Sequence, residues 1–128
     1  MRLQALKYDL TICKIASAKD TDWTDGFFFL GKTDEEISLV CETNHTPRGT
    51  IERDDGWKCF RVEGPLDFSL TGILSGILSL LAARQIGVFA VSTFNTDYIL
   101  VKKNDFERAL RVLSDAGYEI ADGKAETP

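Results

Sequence analysis

Few stretches of this chain hold residue types at spacings that could do chemistry, and most fail on inspection. Asp20-Thr21-Asp22-Trp23-Thr24-Asp25-Gly26 resembles a calcium loop in its alternating oxygen donors. The glycine falls one place late, however, and the twelfth position is Gly31 rather than a bidentate glutamate, so a polar loop or helix cap is the simpler reading. His45 is the single histidine and sits among Asn44, Thr46 and Pro47. Without a second histidine or paired cysteines it does not make a zinc site, and a polar linker is a poor place for a general base. The three cysteines, Cys13, Cys41 and Cys59, are widely spaced in apolar runs. They read as small buried hydrophobes in a reducing compartment, most simply the cytoplasm, and not as a disulfide framework. No phosphate-binding glycine loop and no Gly-x-Ser-x-Gly elbow occurs. No base for Ser92, Thr93 or the cysteines is visible in the sequence.

Two segments survive this sieve. Glu63-Gly64-Pro65-Leu66-Asp67-Phe68-Ser69-Leu70-Thr71-Gly72 joins a strand to a helix, with Asp67, Ser69 and Thr71 as candidate caps. Free N–H groups at a helix start attract a carboxylate, helped by the helix dipole. The competing reading is a well-capped helix whose donors are satisfied internally. Ser92-Thr93-Phe94-Asn95-Thr96-Asp97-Tyr98 is a hairpin turn whose polar residues suit either a turn or a binding loop.

The elements that must position these segments are clearest in the C-terminal half. Asn104 as N-cap, Glu107 three residues on, apolar positions Phe106, Ala109, Leu110, Leu113 and Ala116, and Gly117 at the end predict a helix over Asp105–Ala116. Leu70, Ile73, Leu74, Ile77, Leu78 and Leu81 predict a second over Thr71–Gln85, with Gly72, Ser75, Gly76 and Ser79 forming a stripe of small residues beside them. Val88–Thr93 and Tyr98–Lys103 read as a hairpin, Trp57–Glu63 as the strand before it, and Tyr118–Ala121 as a closing strand. The order β-α-β-β-α-β from Trp57 to Asp122 is the ferredoxin-like α+β arrangement. Upstream, Leu6–Ile15 reads as one strand, Asp20–Gly26 as a possible helical turn, and Phe27–Lys32 and Ile37–Glu42 as strands around a Thr33–Glu36 turn. Thr43–Gly56 reads as a linker. The N-terminal half is thus a weak, truncated repeat of the C-terminal half, giving expected modules at 1–50 and 57–122.

Composition bounds the function. The 128 residues are 44% hydrophobic and 27% charged, as a folded protein requires. A net charge of −5 disfavours nucleic acid as a partner. The longest apolar stretch, Ile73–Ala83, is too short and too interrupted to span a bilayer, and Met1–Lys7 lacks the apolar core of a signal peptide.

Gly64-Pro-Leu-Asp-Phe-Ser-Leu-Thr-Gly72 followed by Ile86-Gly-Val-Phe-Ala-Val-Ser-Thr-Phe-Asn-Thr-Asp-Tyr-Ile-Leu-Val101 resembles the ACT domain. It is closest in kind to the tandem-ACT subfamily of small bacterial proteins, related to cytosolic arginine sensors and, more distantly, to aspartokinase regulatory regions. Phe29–Cys41 resembles the truncated first module of that subfamily. The resemblance implies a non-catalytic, cofactor-free regulatory protein that binds an amino acid or similar small metabolite at an interface between modules or subunits, and a homodimer. It places ligand contacts at Gly64, Leu66, Asp67, Ser69, Gly72 and Ile73 in the first segment and at Ser92, Thr93, Asn95, Thr96 and Asp97 in the second. The ligand carboxylate would meet N–H groups near Asp67–Gly72, and its ammonium would meet Asp67 or Asp97. Two other classes stand beside this one. An interaction module using the fold only to dimerise fits the small-residue stripe. An acylphosphatase-like enzyme would want an arginine in Gly64–Gly72, which has none.

Overall fold

The computed structural model describes residues 1–63 and 72–122. In chain order the elements are β1 (Arg2–Ala5), β2 (Leu10–Ile15), β3 (Phe28–Lys32), β4 (Ile37–Glu42), β5 (Glu52–Val62), α1 (Ile73–Ala82), β6 (Phe89–Ser92), β7 (Asp97–Lys102), α2 (Lys103–Asp115) and β8 (Glu119–Ala121). Short 3-10 turns occur at Ala18–Asp20 and Thr43–His45. The chain divides into two compact units, one of Met1–Tyr8 with Lys58–Pro128, the other of Asp9–Trp57.

In the first unit the C-terminal order β5-α1-β6-β7-α2-β8 is the expected ferredoxin-like one, with one addition. Strand β1, from the chain start, lies between β5 and β8. It pairs antiparallel with β5 (Leu3 opposite Val62, Ala5 opposite Phe60) and parallel with β8 (Arg2 opposite Glu119). Strand β7 pairs with both β5 and β6. Side chains alternate along a strand, so Leu3, Ala5, Phe60 and Val62 fall on one face and Gln4 and Arg61 on the other. The first face forms the core with Ile77 and Leu81 of α1 and Phe106, Ala109, Val112 and Leu113 of α2. Each such large apolar side chain, once buried, contributes about 1.5–3 kcal/mol.

The helices deviate in instructive ways. Helix α2 begins directly after β7 at Lys102, which is extended and offers no side-chain cap. Asn104, expected as N-cap, lies inside the first turn, because β7 runs into the helix without a loop. The C-terminal expectation holds: Gly117 has φ +106, its N–H donates to the Ser114 carbonyl, and the Tyr118 N–H donates to that of Leu113. This is a Schellman cap. Helix α1 is shorter than its apolar pattern, starting after Gly72 at φ +80 and ending at Ala82. Its end closes the same way, with Ile86 N–H to the Leu81 carbonyl and Gln85 N–H to that of Ala82, but Gln85 fills the left-handed position at φ +60. Of the small-residue stripe, Gly76 has Tyr118 Oη as its neighbour, while Ser75 and Ser79 are exposed.

The second unit is an antiparallel sheet in which β2 pairs with β4 and with residues 52–57 of β5, and β3 pairs with β4. It contains no α-helix, and its small core joins Cys13, Ile15, Leu39 and Cys41 to Phe28, Leu30 and Ile37. Trp23 meets Phe28 edge to face at 5.3 Å. Two expectations fail in this region. Of the expected Leu6–Ile15 strand only Leu10–Ile15 forms, as β2; residues 6–9 are not strand and follow β1, which ends at Ala5. The Thr43–Gly56 linker is replaced by a 3-10 turn and the start of β5. Residues 52–56 are polar and exposed, so no apolar pattern marks the strand; backbone pairing with β2 and the Thr11–Asp55 and Arg53–Asp55 side-chain bonds hold it.

Candidate ligand-binding site

The 92–97 hairpin is built by its own polar side chains. Ser92 pairs with Asp97 at the last register position and its hydroxyl donates to Asp97 Oδ1 at 2.5 Å. Inside the turn the Thr93 N–H and hydroxyl both donate to the Thr96 carbonyl, at 2.8 and 3.0 Å. Thr96, itself buried, donates its hydroxyl hydrogen to the Val62 carbonyl at 2.6 Å. The turn is thereby fixed against the end of β5, where the strand-to-helix segment departs.

A cavity of about 320 Å³ opens at that junction, lined by Gln4, Arg61, Val62, Glu63, Asn95, Thr96 and Tyr98. Its charged groups are Arg61 and Glu63. The Arg61 guanidinium donates from Nη1 to Tyr98 Oη and from Nη2 to Gln4 Oε1, both at 3.3 Å, and lies 5.9 Å from the centre of the Tyr98 ring. Glu63 accepts from Arg2 Nε at 3.0 Å. One cation, one anion, two amide side chains and two hydroxyls suit a small polar ligand carrying both charges.

Of the residues expected to contact ligand, Asn95 and Thr96 line this cavity. Ser92, Thr93 and Asp97 belong to the same hairpin, but their side chains are engaged in holding its shape. Gly72 and Ile73 begin α1. Gly64, Leu66, Asp67 and Ser69 lie outside the described residues. Sequence reasoning did not find Gln4 and Arg61. Arg61 had a signal, a cation within the apolar strand run Cys59–Val62. Gln4 had none, because it is 57 positions from its partner.

The sequence model of the ACT domain matches residues 52–115. The chain belongs to the ACT domain family. An Agobacterium tumefaciens protein solved by X-ray crystallography is 34% identical, with a TM-score of 0.83 and a match covering 95% of this chain and 92% of that one. A Vibrio cholerae protein of unknown function, described as a possible transport protein, shares 17% identity at a TM-score of 0.72, over 87% of this chain and 85% of its own. The aspartate kinase of Clostridium acetobutylicum, described as an allosteric enzyme, superposes at a TM-score of 0.63 with 15% identity, over 86% of this chain and 33% of that one. At 17% and 15% identity the likeness concerns the fold alone. No curated protein matches the chain. ACT domains are regulatory modules, and of the residues that line the cavity all but Gln4 lie within the matched residues 52–115.

Other side chains of this ACT protein are occupied structurally. The three cysteines are unpaired and buried. Burial pushes the Cys59 thiol up to about 12, and burial followed by the neighbouring Cys41 pushes Cys13 up to about 11, so neither is a nucleophile at neutral pH. His45 Nδ1 sits 3.3 Å from Asp25 and 3.8 Å from Glu42. The Asp22 carboxylate accepts from the Thr24 hydroxyl and N–H, which hold it below the usual carboxylate range. Among the described residues no group of three or more His, Cys, Asp or Glu could hold a metal ion. No described helix is long and apolar enough to cross a membrane.

Proposed function

We propose that this ACT protein is a non-catalytic, cytoplasmic regulator that binds a free amino acid. Its ligand sits at the junction of the 92–97 hairpin and the strand-to-helix segment, within contacts drawn from Gly64, Leu66, Asp67, Ser69, Gly72 and Ile73 on one side and Ser92, Thr93, Asn95, Thr96 and Asp97 on the other. The protein acts as a homodimer, and a second subunit completes the pocket. Residues 1–50 are read as a truncated ACT-like module preceding the complete domain at 57–122. The observation that carries the reading is the cavity beside Thr96, whose lining offers both a guanidinium and a carboxylate. Unpaired cysteines support a reducing compartment.

Ligand binding regulates only through different affinity for two arrangements of the protein. A thermal-shift screen of the common amino acids tests the idea. An amino acid present at ~100 times its dissociation constant should stabilise the fold by about 2.7 kcal/mol. The absence of any shift at millimolar concentration defeats the reading.

A second reading is a dimerisation module that has lost its ligand. It draws on the outer face of α1, where Leu74 and Leu78 stand with Ser75, Ser79 and Ala82 along an open groove of about 440 Å³. Light scattering with and without amino acid separates the two: an assembly state and stability that ignore every amino acid favour the module.

A further inference from the structure

We infer that Arg61, held by Gln4 and Tyr98, is the group that receives the ligand's carboxylate, and that the site therefore selects α-amino acids through the sheet face opposite the helices. This deepens the amino-acid reading and rests on it. It differs from a site built on backbone N–H groups at the start of α1.

Pairing places the group. Gln4 stands opposite Arg61 across β1 and β5, and both neighbours of that pair, Leu3 opposite Val62 and Ala5 opposite Phe60, are buried in the core with the helices. Alternation sends Gln4 and Arg61 to the other face. Tyr98 on β7 reaches the same guanidinium. Three strands, β1, β5 and β7, thus converge on one cation.

The contacts orient Arg61 without neutralising it. Its two described partners are a neutral amide oxygen and a neutral phenol, and each bond, at 3.3 Å, is longer than the usual 2.9–3.0 Å for N–H···O. Among the described residues no carboxylate lies within ion-pair distance of it; Glu63, on the same cavity, pairs with Arg2. The guanidinium carries five N–H donors in a planar fork that matches a carboxylate, and these two bonds employ one from each terminal nitrogen. A half-buried arginine held in place by neutral partners loses less side-chain freedom when an anion docks. Glu63 and the Asn95 amide, on the same cavity, supply acceptors for an ammonium, so the lining fits a zwitterion better than a dianion.

The probes are L-serine, L-alanine, L-glutamine and L-arginine, each beside its carboxamide analogue, titrated by calorimetry into the full chain and into Arg61→Met. Any of the four that binds wild type should bind Arg61→Met roughly 10- to 100-fold more weakly, the range for losing a charged hydrogen-bonding partner. Its carboxamide, which lacks the negative charge, should bind both proteins equally weakly. Arg61→Lys keeps the charge but not the fork and should fall between; it decides the matter if the methionine variant does not fold. Gln4→Ala should cost several-fold in affinity. Unchanged affinity in the Arg61 variants, alongside clear binding to wild type, overturns the carboxylate assignment and leaves the amino-acid reading standing. No binding of any amino acid to wild type overturns both.

Discussion

The Thr96 hydroxyl donates to the Val62 carbonyl oxygen at 2.6 Å, with both residues buried. One hydrogen bond therefore ties the hairpin to the last residue of β5. Thr96→Val keeps the shape and removes the donor, which should destabilise the fold by about 1–2 kcal/mol. Thr96→Ser should restore most of it. Urea unfolding of the three proteins measures both, and equal midpoints would show that the bond contributes nothing.

Gln85 occupies the left-handed position at the end of α1, at φ +60, where glycine is favoured. The strain of an L side chain there, about 1–2 kcal/mol, exceeds the added flexibility glycine gives the unfolded chain, about 0.5–1 kcal/mol. Gln85→Gly should therefore stabilise by roughly 0.5 kcal/mol. Gly117→Ala at φ +106 should do the opposite. Thermal unfolding of both variants reads the signs.

Leu3 is fully buried although it is the third residue of the chain. Leu3→Ala should cost about 2–5 kcal/mol, as for a central core leucine, whereas alanine at the exposed Lys7 should change little. Denaturant titration of the two variants tests whether β1 is part of the core or an appendage.

Alkaline stability should report the buried thiols. Cys59 and Cys13 are raised in the folded protein to about 12 and about 11, from an ordinary value of 9.0. The unfolded chain therefore releases these protons first as pH rises. The stability held by the protonated thiols is complete below about pH 9 and declines above it, by about 1.4 kcal/mol per pH unit for each thiol, until the folded values are reached. Wild type should lose stability faster than Cys59→Ala between about pH 9 and pH 11. Parallel curves would mean that Cys59 does not titrate as its burial demands.

Local signals were readable, and distant ones were not. The hairpin at Ser92–Asp97, the apolar face of α2 and the Gly117 cap follow from neighbours in sequence. The site was half visible for the same reason: Asn95 and Thr96 announce themselves in a polar turn, whereas Gln4 meets Arg61 only because a strand from the chain start pairs with β5. Residues 52–56 escaped notice because strand pairing there involves exposed polar side chains, which carry no periodic apolar mark. The Asn104 cap failed because β7 and α2 are continuous, a tertiary fact that a capping pattern cannot express.

The placement of β1 beside β8 also sets a timetable for biogenesis. Arg2–Ala5 is synthesised before the other strands but finds its parallel neighbour only when Glu119–Ala121 has been translated, on the order of ten seconds later at ~5–20 residues per second. Until then β1 has only β5 to pair with, and its other edge is open. The order of synthesis thus makes this pairing, the one of longest sequence separation in the unit, a late event in folding.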